Sequence, residues 1–251
     1  MEPSVPNEFH IHPFALHYEV ISDTFLDTRG AAASLMSQLA PGERVFEIGL
    51  GTGYFASLLV AKGAEVEGIQ PADELLPILK DRHPNVRIVG EAKLEDYVFD
   101  RLHSTIVSHS SVFLFTTHEV AFGRNGEARI SLVLQSFVLK ELVMHDCLRK
   151  VVSALAPDGR LFINIQTNPL QRAVVGEGDD QLVFEMTKCV YHMDFKRVEK
   201  WFRLSYRQRS YLVQDNRFCE PYYHFLDRLA SLNCRASVTQ DGMWVIISKM
   251  G

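Results

Sequence analysis

Twelve residues constrain this chain more than any others: Arg44-Val45-Phe46-Glu47-Ile48-Gly49-Leu50-Gly51-Thr52-Gly53-Tyr54-Phe55. Val45 to Ile48 reads as a short buried strand, the glycines as a turn, and Tyr54 as the neighbourhood of a helix start. Phe55, Leu58 and Leu59 recur at helical spacing, and Gly63 stands where a left-handed helix end is least strained. Alternating glycines let backbone approach a ligand with no Cβ between them. The helix start behind them offers unpaired N–H groups and a positive dipole end. A dinucleotide fingerprint sets its third glycine one place later and calls for no acid at position 47.

The rest of the chain repeats that strand-then-helix rhythm. A helical pattern runs from Phe14 to Leu39, firmest over Ala31 to Leu39, and Pro41-Gly42 ends it. Ala64 to Ile69 reads as a second strand, followed by Gln70-Pro71 and a helix carrying Leu75, Leu76, Ile78 and Leu79. Pro77 inside that helix is expected to shift its start or kink it. Val86 to Val89 and Thr105 to Ser108 read as third and fourth strands, leading into Gly90-Glu91-Ala92 and His109-Ser110-Ser111. An apolar and aromatic segment (Val112 to Phe122) and a polar break (Gly123 to Glu127) come next. An amphipathic helix then spans Leu139 to Leu155, and Pro157-Asp158-Gly159 turns into a fifth strand, Leu161 to Ile165. This alternation predicts a parallel sheet covered on both faces, with ligand outside the carboxyl ends of its strands where strand order reverses. The loops after strands one, two and three all leave from that edge.

Leu182–Phe195 and Val198–Val213 depart from the alternation. They are rich in β-branched and aromatic residues, with Phe202, Leu204, Tyr206 and Leu212 on one face, and are expected to form an inserted antiparallel hairpin. Phe218 to Leu232 reads as a helix. Ala236–Thr239 and Met243–Ser248 read as a closing hairpin turned by Gln240-Asp241-Gly242.

At 251 residues, 47% hydrophobic and 23% charged, the chain can bury one sizeable α/β core. A net charge of −5 offers no basic field for a phosphate backbone, so nucleic acid is not expected as a partner. No apolar run approaches the about 20 residues that cross a bilayer. Residues 1 to 12 lack the build of a signal peptide. Cys147, Cys189, Cys219 and Cys234 show no metal-binding spacing and suit reduced thiols. The expectation is a cytoplasmic protein with no membrane partner and no metal site.

The E-x-G-x-G-x-G form of Glu47 to Gly53 resembles motif I of the class I S-adenosylmethionine (SAM)-dependent methyltransferases. The resemblance covers roughly residues 41 to 166, and the closing hairpin fits it too. It implies a Rossmann-like α/β fold: a mostly parallel seven-stranded sheet, its last strand antiparallel, with helices on both faces. Residues 1–40 would then be a helical lid segment, carrying Phe9, His10, His12, Phe14, His17 and Tyr18, or merely a cover for one sheet edge. Residues 41–251 would be the SAM-binding domain, with 182–213 as its hairpin cap.

The resemblance also implies roles for single residues. Glu47 would lie near the cationic methionine end, and Gly49, Gly51 and Gly53 would pass under the sugar and the amino acid portion. Gln70 holds the place of the acid that accepts from both ribose hydroxyls in the family, without the charge that makes such bonds roughly twice as strong. Glu91, beside Ala92, would contact the adenine amino group. Ser108 would contact the cofactor, and His109-Ser110-Ser111 fall beside the transferred methyl. The absence of D/N-P-P-Y there points away from nucleobase or glutamine-amide acceptors and toward a small molecule. Candidate general bases are His109, Tyr18 and Tyr191, with His118 and His192 behind them, each of a kind that is more often a packed or solvated residue than a base. Arg203, Arg207 and Arg209 are either an anion-holding face or a solvated one.

The function implied is transfer of a methyl group from SAM, as co-substrate, to a small metabolite, releasing S-adenosylhomocysteine (SAH). Two alternatives stay open. One is cyclisation of SAM itself, as in azetidine-2-carboxylate formation, which releases methylthioadenosine. The other is a non-enzymatic scaffold on the same fold.

Overall fold

Strands buried on both faces are what put the glycine turn at the centre of the molecule. The computed structural model describes residues 17–122, 127–136, 138, 140–166, 172–178, 181–192, 196–206 and 209–250. Strands β1 (Arg44–Ile48), β2 (Glu65–Ile69), β3 (Arg87–Gly90) and β4 (His103–Ser108) pair in parallel in the order β3-β2-β1-β4. After β5 (Phe113–Phe122) and β6 (Glu127–Ser136) comes β7 (Leu155–Gln166), which lies parallel to β4. Beyond β8 (Arg172–Val175), β9 (Leu182–His192), β10 (Arg197–Tyr206) and β11 (Arg209–Pro221) the chain closes with β12 (Cys234–Val238) and β13 (Trp244–Lys249). β13 runs antiparallel between β7 and β12. The expected seven-stranded, mostly parallel sheet is therefore β3-β2-β1-β4-β7-β13-β12.

Side chains alternate across this sheet, so each strand feeds two helical layers. Val45 packs with Ala31 and Leu35 of α2 (Thr28–Gln38) and with Phe55 and Leu59 of α3 (Tyr54–Val60). Leu76 and Leu79 of α4 (Leu75–Arg82) complete that layer. Phe46 and Ile48 face the other way, onto Met144 and Leu148 of α5 (Glu141–Ser153) and Phe225 and Leu229 of α6 (Tyr222–Ser231). Each such side chain contributes about 1.5–3 kcal/mol by leaving water. Pro77 does not kink α4: it is the third helical residue, where an N–H has no intrahelical partner anyway. The expected N-terminal helix is broken in two. α1 (Tyr18–Leu26) ends at Asp27, whose φ of 46° reverses the chain and whose carboxylate caps α2 by accepting from the Gly30 N–H at 3.2 Å.

The remaining strands form a second, antiparallel limb, β5-β6-β11-β10-β9-β8, joined to β7 where Phe115 and Thr116 pair in parallel with Ile165 and Gln166. This is more than the hairpin expected over 182–213. The stretch 198–213 is not one strand but nearly all of β10 and the start of β11. Reversal puts Leu212 opposite Arg203, where it is exposed, while Phe202 and Leu204 are buried on the other face. β11 also continues to Pro221, so α6 starts later than the expected Phe218. The limb curls strongly. β5 and β9 are four strand steps apart, about 19 Å if flat, yet the Tyr191 hydroxyl lies 3.3 Å from Thr116 Oγ1.

Candidate functional site

Strand order reverses between β1 and β4, and the turn after β1 lies at that crevice. Gly49 and Leu50 both donate to the Ile69 carbonyl at 3.0 Å, which bends the chain off β1, and Gly53 N–H closes the turn on Leu50 O at 2.8 Å. All three glycines have positive φ, 75°, 58° and 81° in order. Their neighbours differ. A Cβ on Gly49 would lie 2.6 Å from Ser111 Cβ, and one on Gly53 would lie 2.1 Å from Leu79 Cδ1. Protein therefore fills the space at those two positions. Only at Gly51 is the space open, the nearest atoms being those of the Tyr18 ring at 3.8 Å.

Glu47 lies under this turn, buried, with Oε2 lacking any hydrogen-bond partner. Burial raises its carboxyl well above the usual carboxylate range. Such a group is completed by a ligand that brings a donor, and above all by a cation.

Gln70, at the end of β2, is buried and bonded at both ends of its amide. Oε1 accepts from the Gly51 N–H at 2.6 Å, and Nε2 donates to Asp73 Oδ1 and Oδ2 at 3.1 and 3.0 Å. Asp73 Oδ1 also accepts from the Leu75 N–H at the start of α4. Glu91, on the loop after β3, is exposed and paired with Lys80 Nζ at 2.6 Å, while Ala92 beside it is half-buried.

The segment after β4 has an unexpected course. Ser108 pairs with Ile163 and Phe115 with Ile165, so seven chain steps lie beside only two of β7. The surplus is extruded at the carboxyl edge, between β1 and β7. Three bonds set its shape. Ser111 Oγ donates to Ile48 O, Ser110 N–H donates to Asn164 Oδ1 at 2.7 Å, and Phe113 N–H donates to Ser108 Oγ at 3.1 Å. Ser110 is held at φ 51°, a left-handed conformation that costs a residue with a Cβ roughly 1–2 kcal/mol.

This geometry revises several expectations. Ser108 Oγ is engaged within its own turn, by Phe113 on both backbone groups and by Ser111. His109 does not line an opening. It is buried, stacked on Phe55 at 4.2 Å between centroids and set near Trp244, and burial pushes its imidazole down to about 3. A ring so placed is a neutral core residue rather than a base. Tyr191 accepts from Gln135 Nε2 at 2.9 Å, and burial pushes its hydroxyl up to about 12. His192 lies 3.8 Å from Glu199, and Arg203 is an exposed partner of Glu185 at 3.7 Å. The side chains of His118 and Arg209 and the whole of Arg207 lie outside the described residues, as do Phe9, His10, His12 and Phe14.

Tyr18 stands beside the glycine turn, its ring 3.8 Å from where a Cβ on Gly51 would lie. α1 is wedged between the glycine turn and the antiparallel limb, where Ile21 packs with Ala173, Leu182 and Phe184. On its other side Asp23 Oδ2 accepts from the Tyr54 hydroxyl at 2.6 Å and from Arg29 Nε at 2.7 Å. Glu19 lies 3.1 Å from His83 Nε2. Sequence reasoning missed Asp73, Asp23 and Asn164. One signal was available: Asn164 is the single polar residue in the apolar run Leu161 to Ile165.

A family described as a methyltransferase domain matches residues 24–247. None of the curated proteins matches the chain in sequence. Among solved structures, DesVI of Streptomyces venezuelae superposes with a TM-score of 0.66 at 12% identity, over 94% of this chain and 98% of its own. The sugar N-methyltransferase KedS8 from a Streptoalloteichus species gives 0.65 at 12% identity, over 98% and 96%. The SAM-bound aminopentose methyltransferase CalS10 from Micromonospora echinaspora gives 0.64 at 13% identity, over 98% and 100%. Identities this low establish a shared fold.

Proposed function

The chain belongs to the methyltransferase family, and from that premise we propose that it transfers the methyl group of SAM to a small-molecule acceptor, releasing SAH. The observation that carries this reading is the buried, unpartnered Oε2 of Glu47 beneath a turn whose only open glycine is Gly51. The ammonium of the methionine moiety would supply the missing donor and charge. Gly51 would let the sugar approach, Gln70 would lie beside the ribose, and Glu91 with Ala92 would border the adenine. That a sugar N-methyltransferase and an aminopentose methyltransferase share the fold supports a small acceptor bearing an amine.

SAM supplies the activated methyl on a sulfonium; the protein's own task is to orient and exclude water. Holding acceptor nitrogen and methyl in line is worth about 7–11 kcal/mol of barrier. The extruded Ser110 turn, fixed by Asn164, would form the wall beside the methyl. His109 and Tyr191 are poor bases in these surroundings, which suits an acceptor that arrives as a neutral amine. Such a nucleophile needs no proton removed before attack. No helix among the described residues is long and apolar enough to cross a membrane, and the four cysteines are free. A cytoplasmic setting belongs to the same proposal.

Chromatography of incubations with SAM, alone and with a panel of amino sugars and other small amines, tests the reading. The expected outcome is SAH formed only with an acceptor. Stoichiometric methylthioadenosine formed without one, above the spontaneous-breakdown control, would replace methyl transfer by cyclisation.

A further inference from the structure

The family's ribose-binding acid is missing at the end of β2, and the structure shows what stands beside the glutamine that replaces it. Gln70 is not ambiguous in orientation. Its Oε1 meets an N–H donor, from Gly51, and its Nε2 meets a carboxylate, from Asp73. A flipped amide would set donor against donor and acceptor against acceptor. The pair is therefore locked, with the Asp73 charge within 3.1 Å of the amide nitrogen and the amide oxygen on the one glycine of the turn whose surroundings are open.

Building on the SAM reading above, we propose that Asp73 supplies the charge of the ribose site, so that Gln70 and Asp73 together recognise the nucleoside hydroxyls. Three observations support it. Asp73 is only half-buried, so its carboxylate keeps contact with solvent while it holds the amide that reaches Gly51. The crevice itself contains Gly51, whose N–H bond to Gln70 ties the sugar-facing turn to the pair. A hydroxyl that donates to a carboxylate, or to an amide oxygen polarised by one, makes a stronger bond than it makes to a lone amide. In this chain the acid has moved three residues along, and the glutamine fills the gap between it and the turn.

The competing role is purely structural: Asp73 accepts from the Leu75 N–H and so caps α4. Asp73→Ser separates the two, because serine is an equally good cap but carries no charge. Titration calorimetry would compare SAH with its 2′,3′-dideoxy analogue on the wild-type chain, on Asp73→Ser and on Asp73→Asn, each shown to be folded by circular dichroism. Both variants are expected to bind SAH about tenfold more weakly, a single charge-assisted bond, and the dideoxy analogue less than about threefold more weakly. Equal losses for the two ligands would make Asp73 a structural residue and overturn the proposal, as would no loss for either. A wild-type chain that binds neither ligand would instead remove the SAM reading, and this proposal with it.

Discussion

Gln70→Glu is the most informative single substitution, because a family-style acid there should tighten nucleoside binding while this structure demands the opposite. The carboxylate would keep the Gly51 N–H bond, but its second oxygen would take the place of Nε2, which lies 3.1 and 3.0 Å from the two oxygens of Asp73. Two unit charges about 3.5 Å apart at an effective permittivity of about 20 repel by about 5 kcal/mol. Asp73 is half-buried, so solvent screens part of this, and rotation or proton uptake relieves more. The lost bond from amide to carboxylate adds about 1.5–3 kcal/mol. A net destabilisation of about 2 kcal/mol near pH 8 follows. The introduced carboxyl has its folded pKa raised above its unfolded value near 4.3. The folded state then binds the extra proton, so relative stability is kept below the unfolded value and falls as pH rises through the folded one. Urea denaturation of both proteins at pH 5 and pH 8 measures this, with about half of the deficit at the lower pH and all of it at the higher. SAH should bind more weakly to the variant at pH 8. Equal stability at pH 8, or a deficit independent of pH, would refute the Gln70–Asp73 geometry.

Two further outcomes follow from the same site. Burial raises the Glu47 carboxyl, so wild-type stability should decline as pH climbs from the unfolded value near 4.3 through the raised folded one, and Glu47→Gln should abolish that decline. The same variant should be more heat-stable at pH 8 yet lose about 10- to 100-fold in SAH affinity, the worth of a bond to a charged group; thermal melts across pH with calorimetry decide it, and an unchanged slope would remove Glu47 as its source. Gly53→Ala should destabilise by about 2–4 kcal/mol, combining a 2.1 Å clash with Leu79 and left-handed strain, whereas Gly51→Ala carries only the strain, about 1–2 kcal/mol. Urea midpoints in the reverse order would show that the turn is built differently.

Strands buried on both faces left a clear sequence signal, and β1, β2, β3, β4 and the closing hairpin stand close to where apolar runs and turn residues placed them. The antiparallel limb was harder to read. Phe202, Leu204, Tyr206 and Leu212 keep one parity in sequence, but a strand reversal lies between Tyr206 and Arg209, and parity does not survive a reversal. β5 was hidden for a related reason. It continues alongside β7 after an extrusion, so no hairpin turn announces it. At the candidate site, sequence position named loops that the structure places at one edge of the sheet, but not the directions of their side chains. His109 follows β4 as expected, yet its ring enters the layer of Phe55 and Trp244. Three alternating glycines look equivalent on paper. Only their neighbours reveal that Ser111 needs Gly49, that Leu79 needs Gly53, and that Gly51 alone leaves room.

The walls of the site are fastened with unequal strength, and the difference bears on how a ligand reaches it. On the side proposed for the acceptor, Ser111 and Ser110 clasp the extruded turn to β1 and β7 by bonds to two buried partners, the Ile48 carbonyl and the Asn164 side chain. Breaking either leaves a buried polar group unsatisfied, at about 1–3 kcal/mol each. On the nucleoside side, α1 is held to the turn by the Tyr54–Asp23–Arg29 contact and the Glu19–His83 pair, both partly exposed. Exposed pairs of this kind are worth about 0.2–1 kcal/mol each, because water replaces what is lost. The apolar seat of Ile21 against Ala173 and Leu182 holds α1 to the antiparallel limb as well. Separating α1 from the turn therefore costs less than moving the Ser110 segment. That asymmetry agrees with the function proposed above, in which a large nucleoside enters at one wall and the other stays fixed for in-line attack.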